Sequence, residues 1–339
     1  PRAQEDGGLG PLALVGSRTL GPAGVALAGF GILVSQLGFC VAYVEVIVET
    51  LRGPNLLGPD ASGLWLRLGL LLLLCILCLI RRLEHIARLS GFALFIYCYL
   101  LWALLWWGHQ EVLGGSAPAP STIWNPIGWS DAGLWFGTAI FAQEAIVISQ
   151  YVYDDMHLDD PRDFLPVLVG SFTLCGVLSA FVGGFGYRCY GDRIKDVFYL
   201  NFPADSADVT IAEVILCLVL LASFVLQLYP VVSFVEAAAV RLRWADASES
   251  SGAKGPSAVV LRWGLAALAS FAAASIPNLP CVSGYSGSFA MSAIGFFLPP
   301  LCHIKAHEYR LSALDWAGNL LLLAAGCAAV VFGVLSTSC

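Results

Sequence analysis

Two polar side chains stand next to each other within a long apolar run of this sequence. Gln143 and Glu144 lie near the middle of FGTAIFAQEAIVI, residues 136–148. An ionisable side chain at the centre of a bilayer costs about 2.5 to 3.5 kcal/mol on insertion scales, unless it faces a bundle interior or a water-filled cavity. A carboxylate in such a place can bind an ammonium group or a proton, which makes this segment the leading candidate for function. The alternative is a buried carboxylate that is satisfied by a polar group of another helix.

Other polar residues interrupt apolar segments elsewhere in the chain. Gln36 and Glu45 do so in the first long segment, although a glutamine there can also serve only as an interhelical hydrogen bond, worth about 0.6 to 2 kcal/mol. Ser223 and Gln227 are four residues apart, which places them on one face of a helix. They are candidates for lining a cavity, and helix packing explains them nearly as well.

Several motifs that suggest enzymes have simpler explanations. The run SGYSGS (283–288) does not match Gly-x-Ser-x-Gly, and its small residues favour a close helix crossing. Cys75 and Cys78 lie inside a leucine-rich segment without a thioredoxin-like context. His303 and His307 share a helix face but lack the His-Glu-x-x-His order. With no Walker-type phosphate loop either, we predict that the chain is not an enzyme and holds no metal or cofactor.

The composition is that of an integral membrane protein. Hydrophobic residues make up 58% of the 339 residues and charged residues only 12%, against about 25% charged in soluble domains. Apolar segments of spanning length recur, which predicts an all-α polytopic protein with a loose cytoplasmic segment at residues 1–20 and one transmembrane domain at residues 21–339. The nine predicted spans are residues 24–48, 64–80, 89–107, 132–151, 165–187, 210–240, 258–276, 281–302 and 314–335.

Lys and Arg are distributed unequally between the loops. Placing residue 1 on the cytoplasmic side gives the cytoplasmic loops more of them, as the positive-inside rule requires. This orientation brings Cys189 and Cys281 to the non-cytoplasmic side, where they form a candidate disulfide pair. No basic patch for nucleic acid is present.

Several short motifs, in order along the chain from about Gly21, resemble those of the amino acid/auxin permeases, also described as the amino acid transporter transmembrane domain. Within that family the proton-coupled amino acid transporter branch is the most similar. The motifs are SQLGFCVAY (35–43), FGTAIFAQE (136–144), MHLDDPRDF (156–164), Gly-Tyr (186–187), Asn-Phe-Pro (201–203), LQLYP (226–230), IPNL (276–279) and LPP (298–300).

This resemblance implies a leucine-transporter-like helical bundle, in which two inverted repeats of five helices precede an eleventh helix. The nine spans then correspond to the third to eleventh helices, and the sequence is expected to be N-terminally incomplete. The family usually has Phe-Glu-Gly where this chain has Gln143, Glu144 and Ala145. Loss of the glycine predicts less backbone freedom at the expected helix break.

The resulting hypothesis is a secondary active transporter of small neutral amino acids that works by alternating access. Symport with H+ is expected, with Na+ as the other coupling ion considered, in the plasma membrane or a vacuolar or lysosomal membrane. The alternative is a non-transporting amino-acid sensor or scaffold that retains the fold. The residues expected to bind the substrate are Gln36, Phe39, Phe141, Ala142, Gln143, Glu144, Ser223 and Gln227.

Overall fold

The computed structural model describes residues 10–79, 83–115, 117, 129–155, 161–203, 206–241, 256–276, 278–307 and 310–335. Helices are the only regular elements within these ranges, which confirms the all-α prediction. The α-helices are α1 (Pro11–Leu20), α2 (Pro22–Leu51), α3 (Gly63–Leu77), α4 (Leu83–Leu113), α5 (Trp129–Ala142), α6 (Ile146–Asp155), α7 (Phe164–Tyr190), α8 (Ala207–Arg241), α9 (Pro256–Ser275), α10 (Leu279–Tyr285), α11 (Leu298–Ala306) and α12 (Ala313–Leu335). Two π-helical segments, Ser286–Met291 and Ala293–Phe297, connect α10 to α11.

Each of the nine predicted spans overlaps one or more of these helices. In the described part of the chain, six helical stretches are long and apolar enough to cross a membrane, and α3 and α9 are shorter apolar helices. The protein is therefore a polytopic helical membrane protein. The six stretches are Pro22–Leu51, Ala132–Tyr153, Phe164–Arg193, Ala207–Ala239, Leu279–Ala306 and Ala313–Leu335.

The chain divides into two compact units, and α2 and α8 contribute residues to both. The first unit comprises Pro1–Ala42, Gly128–Phe164 and Gln227–Cys339, and the second comprises Tyr43–Ile127 and Leu165–Leu226. A buried cluster of the first unit is built from residues far apart in sequence, including Ala13, Ile32, Val147, Ile294 and Leu298. In the second unit the most deeply buried side chains include Val44, Leu74, Leu104 and Phe224.

Part of the segment predicted to be loose is an ordered helix, which corrects that prediction. Pro11 begins α1, where the missing proline N–H costs nothing. Gly21, with φ 64°, ends the helix by donating its N–H to the Ser17 carbonyl. Leu12 and Ala13 are buried in the cluster of the first unit. Apolar burial therefore orders residues that their Gly- and Pro-rich composition had suggested were loose, while residues 1–9 of that prediction lie outside the described ranges.

Candidate functional site

The central feature of the first unit is an interruption of the helix that carries Glu144. Helix α5 ends at Ala142 and α6 begins at Ile146, so residues 143–145 form a non-helical link. The last turn of α5 is tighter than an α-helical turn, because the backbone amides of Gln143 and Glu144 donate to carbonyls only three residues earlier, at 3.2 and 3.4 Å. The break exists although Ala145 stands where the family that the sequence resembles usually has glycine. Alanine is therefore compatible with the interruption.

Glu144 lies at the start of α6 and is held by long hydrogen bonds. Its Oε1 accepts the Val147 backbone N–H at 3.3 Å, and its Oε2 accepts the Gln36 side-chain amide at 3.4 Å. Both distances lie beyond the usual range for such bonds, which makes the bonds weak. The amino end of α6 favours a negative charge because the helix dipole points its positive end there. The carboxylate is thus stabilised by α6 and is still open to a stronger partner.

Gln36 on α2 is fully buried and only partly satisfied. Its amide nitrogen is shared between Glu144 and the Ser35 hydroxyl, 3.3 Å away. Its Oε1 has no hydrogen-bond donor among the described residues. The buried Oε1 of Gln227, on the part of α8 that belongs to the same unit, also finds no donor in the described chain. These are acceptor atoms, and a buried acceptor without a donor costs about 1 to 3 kcal/mol.

An aromatic pair adjoins the polar pair. Phe39 is three residues after Gln36 on α2, and Phe141 is three residues before Glu144, so each ring is close in sequence to one polar residue. The two rings contact each other with centroids 4.3 Å apart. This contact and the Gln36–Glu144 hydrogen bond fix α2 against the broken helix. Four of the eight predicted site residues are therefore brought together.

Glycines allow α5 to approach α10 and the first π-helical segment very closely. A Cβ added at Gly137 would overlap the Gly284 carbonyl oxygen, and one added at Gly287 would overlap the Gly137 carbonyl oxygen. The Thr138 and Ser283 hydroxyls are joined by a hydrogen bond of 3.0 Å in the same contact. The prediction that the small residues of SGYSGS serve a close helix crossing is thereby confirmed.

The π-helical segments were not predicted from the sequence. Ser286, in the first of them, donates to the Val34 carbonyl of α2 at 3.4 Å. Ser288 is buried, and its hydroxyl has no partner in the described part of the chain. π-Helical turns are rare and are frequent at functional sites. The hydrophobic periodicity of the sequence does not predict them.

The remaining predicted site residues have weaker support. Ala142 is exposed at the end of α5, and Gln143 is half-buried in the break. Ser223 is half-buried on the part of α8 that belongs to the second unit. Glu45, a weaker candidate, has a structural explanation, since both of its carboxylate oxygens contact the Arg67 guanidinium, at 2.8 and 3.1 Å. Glu45 is thus the partner of a cation.

The predicted disulfide between Cys189 and Cys281 is wrong. Cys189 has a free, buried thiol, whereas Cys281 is disulfide-bonded outside this pair. Within the second unit, Cys189 packs against Gly108 of α4 so closely that a Cβ there would lie 2.8 Å from the sulfur. A shared side of the membrane was a necessary condition for the bond and not a sufficient one, because a disulfide also needs Cα atoms within about 7 Å.

Together these features define a class of protein. This is a polytopic helical membrane protein with a discontinuous helix and a polar pair, Gln36 and Glu144, at the discontinuity, and discontinuous helices of this kind form the binding sites of many secondary transporters. The sequence model of the family described as "Transmembrane amino acid transporter protein" matches residues 9–338, and the chain belongs to that family. This is a family of transporters, in agreement with the prediction that the chain is not an enzyme.

Similar proteins have been named in fungi and plants. The chain is 28% identical over 314 residues to "Vacuolar amino acid transporter 3" of Saccharomyces cerevisiae, with 89% of this chain and 43% of the relative covered. It is 25% identical over 333 residues to "Amino acid transporter AVT3A" of Arabidopsis thaliana, with 94% and 71% covered. A third relative, "Amino acid transporter ANT1" of Arabidopsis thaliana, is 26% identical over 343 residues, with 95% and 75% covered. The chain thus spans less than half the length of the yeast relative.

Proposed function

We propose that the protein containing this chain is a secondary active transporter of small neutral amino acids, coupled to H+ and working by alternating access. The observation that carries the proposal is Glu144, a half-buried carboxylate at a helix break, weakly bonded to a fully buried glutamine. Family membership supports the general activity. The names of the relatives support a vacuolar membrane as the location to examine first.

The polar atoms around the break suit the amino group of a substrate. The Glu144 carboxylate and Gln36 Oε1 are both acceptors, and Gln36 Oε1 has no donor among the described residues. A primary ammonium group brings three N–H donors and a positive charge. Charge-assisted hydrogen bonds are shorter and roughly twice as strong as neutral ones. An ammonium group would therefore displace the 3.4 Å contact between Gln36 and Glu144 in favour of stronger bonds.

The contacts beside the break suit a small apolar side chain. Phe39 and Phe141 present aromatic surface next to the polar pair, and Gly38 packs against Ser286 with no room for a Cβ. Ligand sites of this kind are mostly apolar, with a few polar groups that fix orientation. The aromatic rings favour contact with apolar side chains, and the crowded contact between Gly38 and Ser286 favours small ones.

Uptake by the natural protein that contains this chain, purified and placed in liposomes, tests the proposal. Labelled neutral amino acids should accumulate above the level in empty liposomes when an inward proton gradient is imposed. An imposed Na+ gradient without a pH difference should not drive this uptake. Absence of uptake for every amino acid would contradict transport. Ligand binding without uptake would instead support the sensor or scaffold alternative, and Na+-driven uptake would correct the coupling ion.

A further inference from the structure

The second unit contains a buried carboxylate, Glu213, that is only partly satisfied by hydrogen bonds. Glu213, on α8, is only 1% exposed. Its Oε1 accepts the Asn55 side-chain amide at 3.3 Å. Its Oε2 is buried, and no donor for it is found in the described part of the chain. The carboxyl group thus accepts one long hydrogen bond from a neutral donor at Oε1 and, among the described residues, none at Oε2.

The donors around Glu213 are already used by other acceptors. The Thr50 hydroxyl donates to the Val46 carbonyl at 2.6 Å, so the Tyr199 hydroxyl, 2.7 Å away, donates to Thr50. Burial raises the pKa of Tyr199, which keeps this hydroxyl protonated and available as that donor. The Lys195 ammonium, the cation whose charge attracts the Glu213 carboxylate, donates to the Leu200 carbonyl at 2.8 Å.

None of the titratable and charged groups on the neighbouring described elements donates a hydrogen bond to Oε2 of Glu213. Glu49 on α2 is exposed. Cys217 lies one turn after Glu213, and its thiol is hydrogen-bonded to the Thr50 side chain. Asp208 at the start of α8 is exposed and bonded to Tyr99 of α4, and Arg67 of α3 is paired with Glu45. The titratable groups that interact with Glu213, directly or through Tyr199, are therefore Lys195, Tyr199, Cys217 and Glu49.

We propose that Glu213 is a proton-binding site, with the proton held on Oε2. A charged carboxylate with one neutral hydrogen bond is expensive to bury, whereas the protonated form is neutral and is the cheaper form to bury. On binding, Oε2 takes a proton from a hydronium ion and forms an O–H bond, leaving water. On release, the same bond breaks and the proton returns to water. Lys195 and Asn55 stabilise the ionised form enough for release to occur.

The position of Glu213 along the chain indicates the side from which the proton arrives. Glu213 lies in the second turn of α8, directly after the loop of residues 194–206. The distribution of Lys and Arg predicts that this loop is non-cytoplasmic. In a vacuolar membrane that side faces the acidic lumen. A role of this proton in driving transport rests on the proposed function, whereas proton binding itself does not.

Infrared spectroscopy of the purified natural protein tests proton binding directly. Protonated carboxyl groups give a C=O stretching band that shifts in D2O, and we expect one such band to disappear in the isosteric variant Glu213→Gln. The matched control is Glu49→Gln, an exposed carboxylate near the same cluster, which should keep the band. An unchanged set of carboxyl bands in Glu213→Gln, across a pH titration, would overturn the proposal.

A second variant tests the proposal in case Glu213→Gln fails to fold. Asn55→Leu removes the hydrogen bond to Oε1 and leaves Glu213 in place. If Oε2 carries the proton, the carbonyl at Oε1 loses its donor, and the band shifts to higher frequency without being lost. Absence of any effect of Asn55→Leu on the carboxyl bands would contradict the assignment.

Transport assays separate this proposal from the proposed function. Glu213→Gln should retain exchange of labelled for unlabelled amino acid, and should lose the stimulation of net uptake by an inward pH gradient. Equal stimulation in Glu213→Gln and the native protein would show that this proton does not drive transport. If the native protein transports nothing, the proposed function fails, and the infrared bands alone decide whether Glu213 binds a proton.

Discussion

Gln36 and Glu144 are 108 residues apart in the chain and form one polar pair. Gln36 is fully buried, so loss of its partner leaves polar atoms without hydrogen bonds. The pair is held by a contact of 3.4 Å, which is weaker than the bonds that a bound ammonium group would make. A site that is under-satisfied when empty gains more from its ligand, because the ligand removes the cost of the unpaired atoms.

We predict that Gln36→Leu lowers amino acid uptake strongly without abolishing folding. A hydrogen bond to a charged group such as the substrate ammonium contributes about 1.5 to 3 kcal/mol, which corresponds to roughly 10- to 150-fold in transport efficiency. Glu144→Gln should have a similar effect, and the double variant should be little worse than either single one, since both remove the same interaction. The control is Gln110→Leu, an exposed glutamine on α4. Fully additive losses in the double variant would contradict a shared site.

We also predict that Phe39→Ala shifts the substrate preference toward larger neutral amino acids. The change removes the ring that contacts Phe141 and opens space beside the polar pair, at a cost of about 0.5 to 1.5 kcal/mol for the lost aromatic contact. Competition of a labelled substrate with neutral amino acids of increasing size measures the preference. Phe271→Ala is the control, because this side chain is 72% exposed on α9. An unchanged order of competitors would place the substrate elsewhere.

At the scale of secondary-structure elements, the site depends on how closely two interrupted helices approach. The contact of Gly137 with Gly284 and Gly287 has no room for a methyl group. It packs α5 directly against α10 and against the π-helical segment that follows α10. Helix α7 differs, because Cβ atoms added at Gly170, Gly183 or Gly184 would meet nothing within 4 Å. Glycine content alone therefore does not identify a close crossing.

Gly137→Ala is expected to destabilise the first unit and reduce uptake. Overpacking of a close contact costs about 1 to 3 kcal/mol, so the apparent melting temperature in detergent should fall. Gly170→Ala on α7 makes the same chemical change at an open position and should leave the melting temperature unchanged or slightly higher, since alanine is the better helix former. Equal melting temperatures for the two variants would mean that the crossing relaxes without cost.

At the scale of the whole molecule, the prediction of nine spans with a cytoplasmic start assigns each loop to one side of the membrane. The loop at residues 53–62 is predicted to be non-cytoplasmic, and residues 245–255, which lie outside the described ranges, are predicted to be cytoplasmic. The proposed direction of proton entry at Glu213 depends on this topology. A change of one in the number of spans before a loop would reverse the side of that loop.

Labelling of single introduced cysteines tests this topology. In sealed vesicles with the cytoplasmic face outward, a membrane-impermeant maleimide should label Ala253→Cys and should label Asp60→Cys only after the vesicles are opened. Asp60 is exposed in the loop between α2 and α3, so lack of accessible surface would not explain a negative result. The native protein gives the background from its own cysteines. The reverse labelling pattern would invert the predicted orientation.

The sequence by itself determined the class of protein and its strongest candidate residues. Apolar length is a local property of the chain, so it predicts the positions of the spans, and the high cost of a carboxylate in an apolar run points to Glu144. The tertiary structure decided which polar groups have partners, because those partners come from distant parts of the chain. It paired Gln36 with Glu144 and Glu45 with Arg67, and it left Cys189 as a free thiol. Burial likewise ordered α1, and the contacts around Glu213 left its Oε2 without a donor in the described chain.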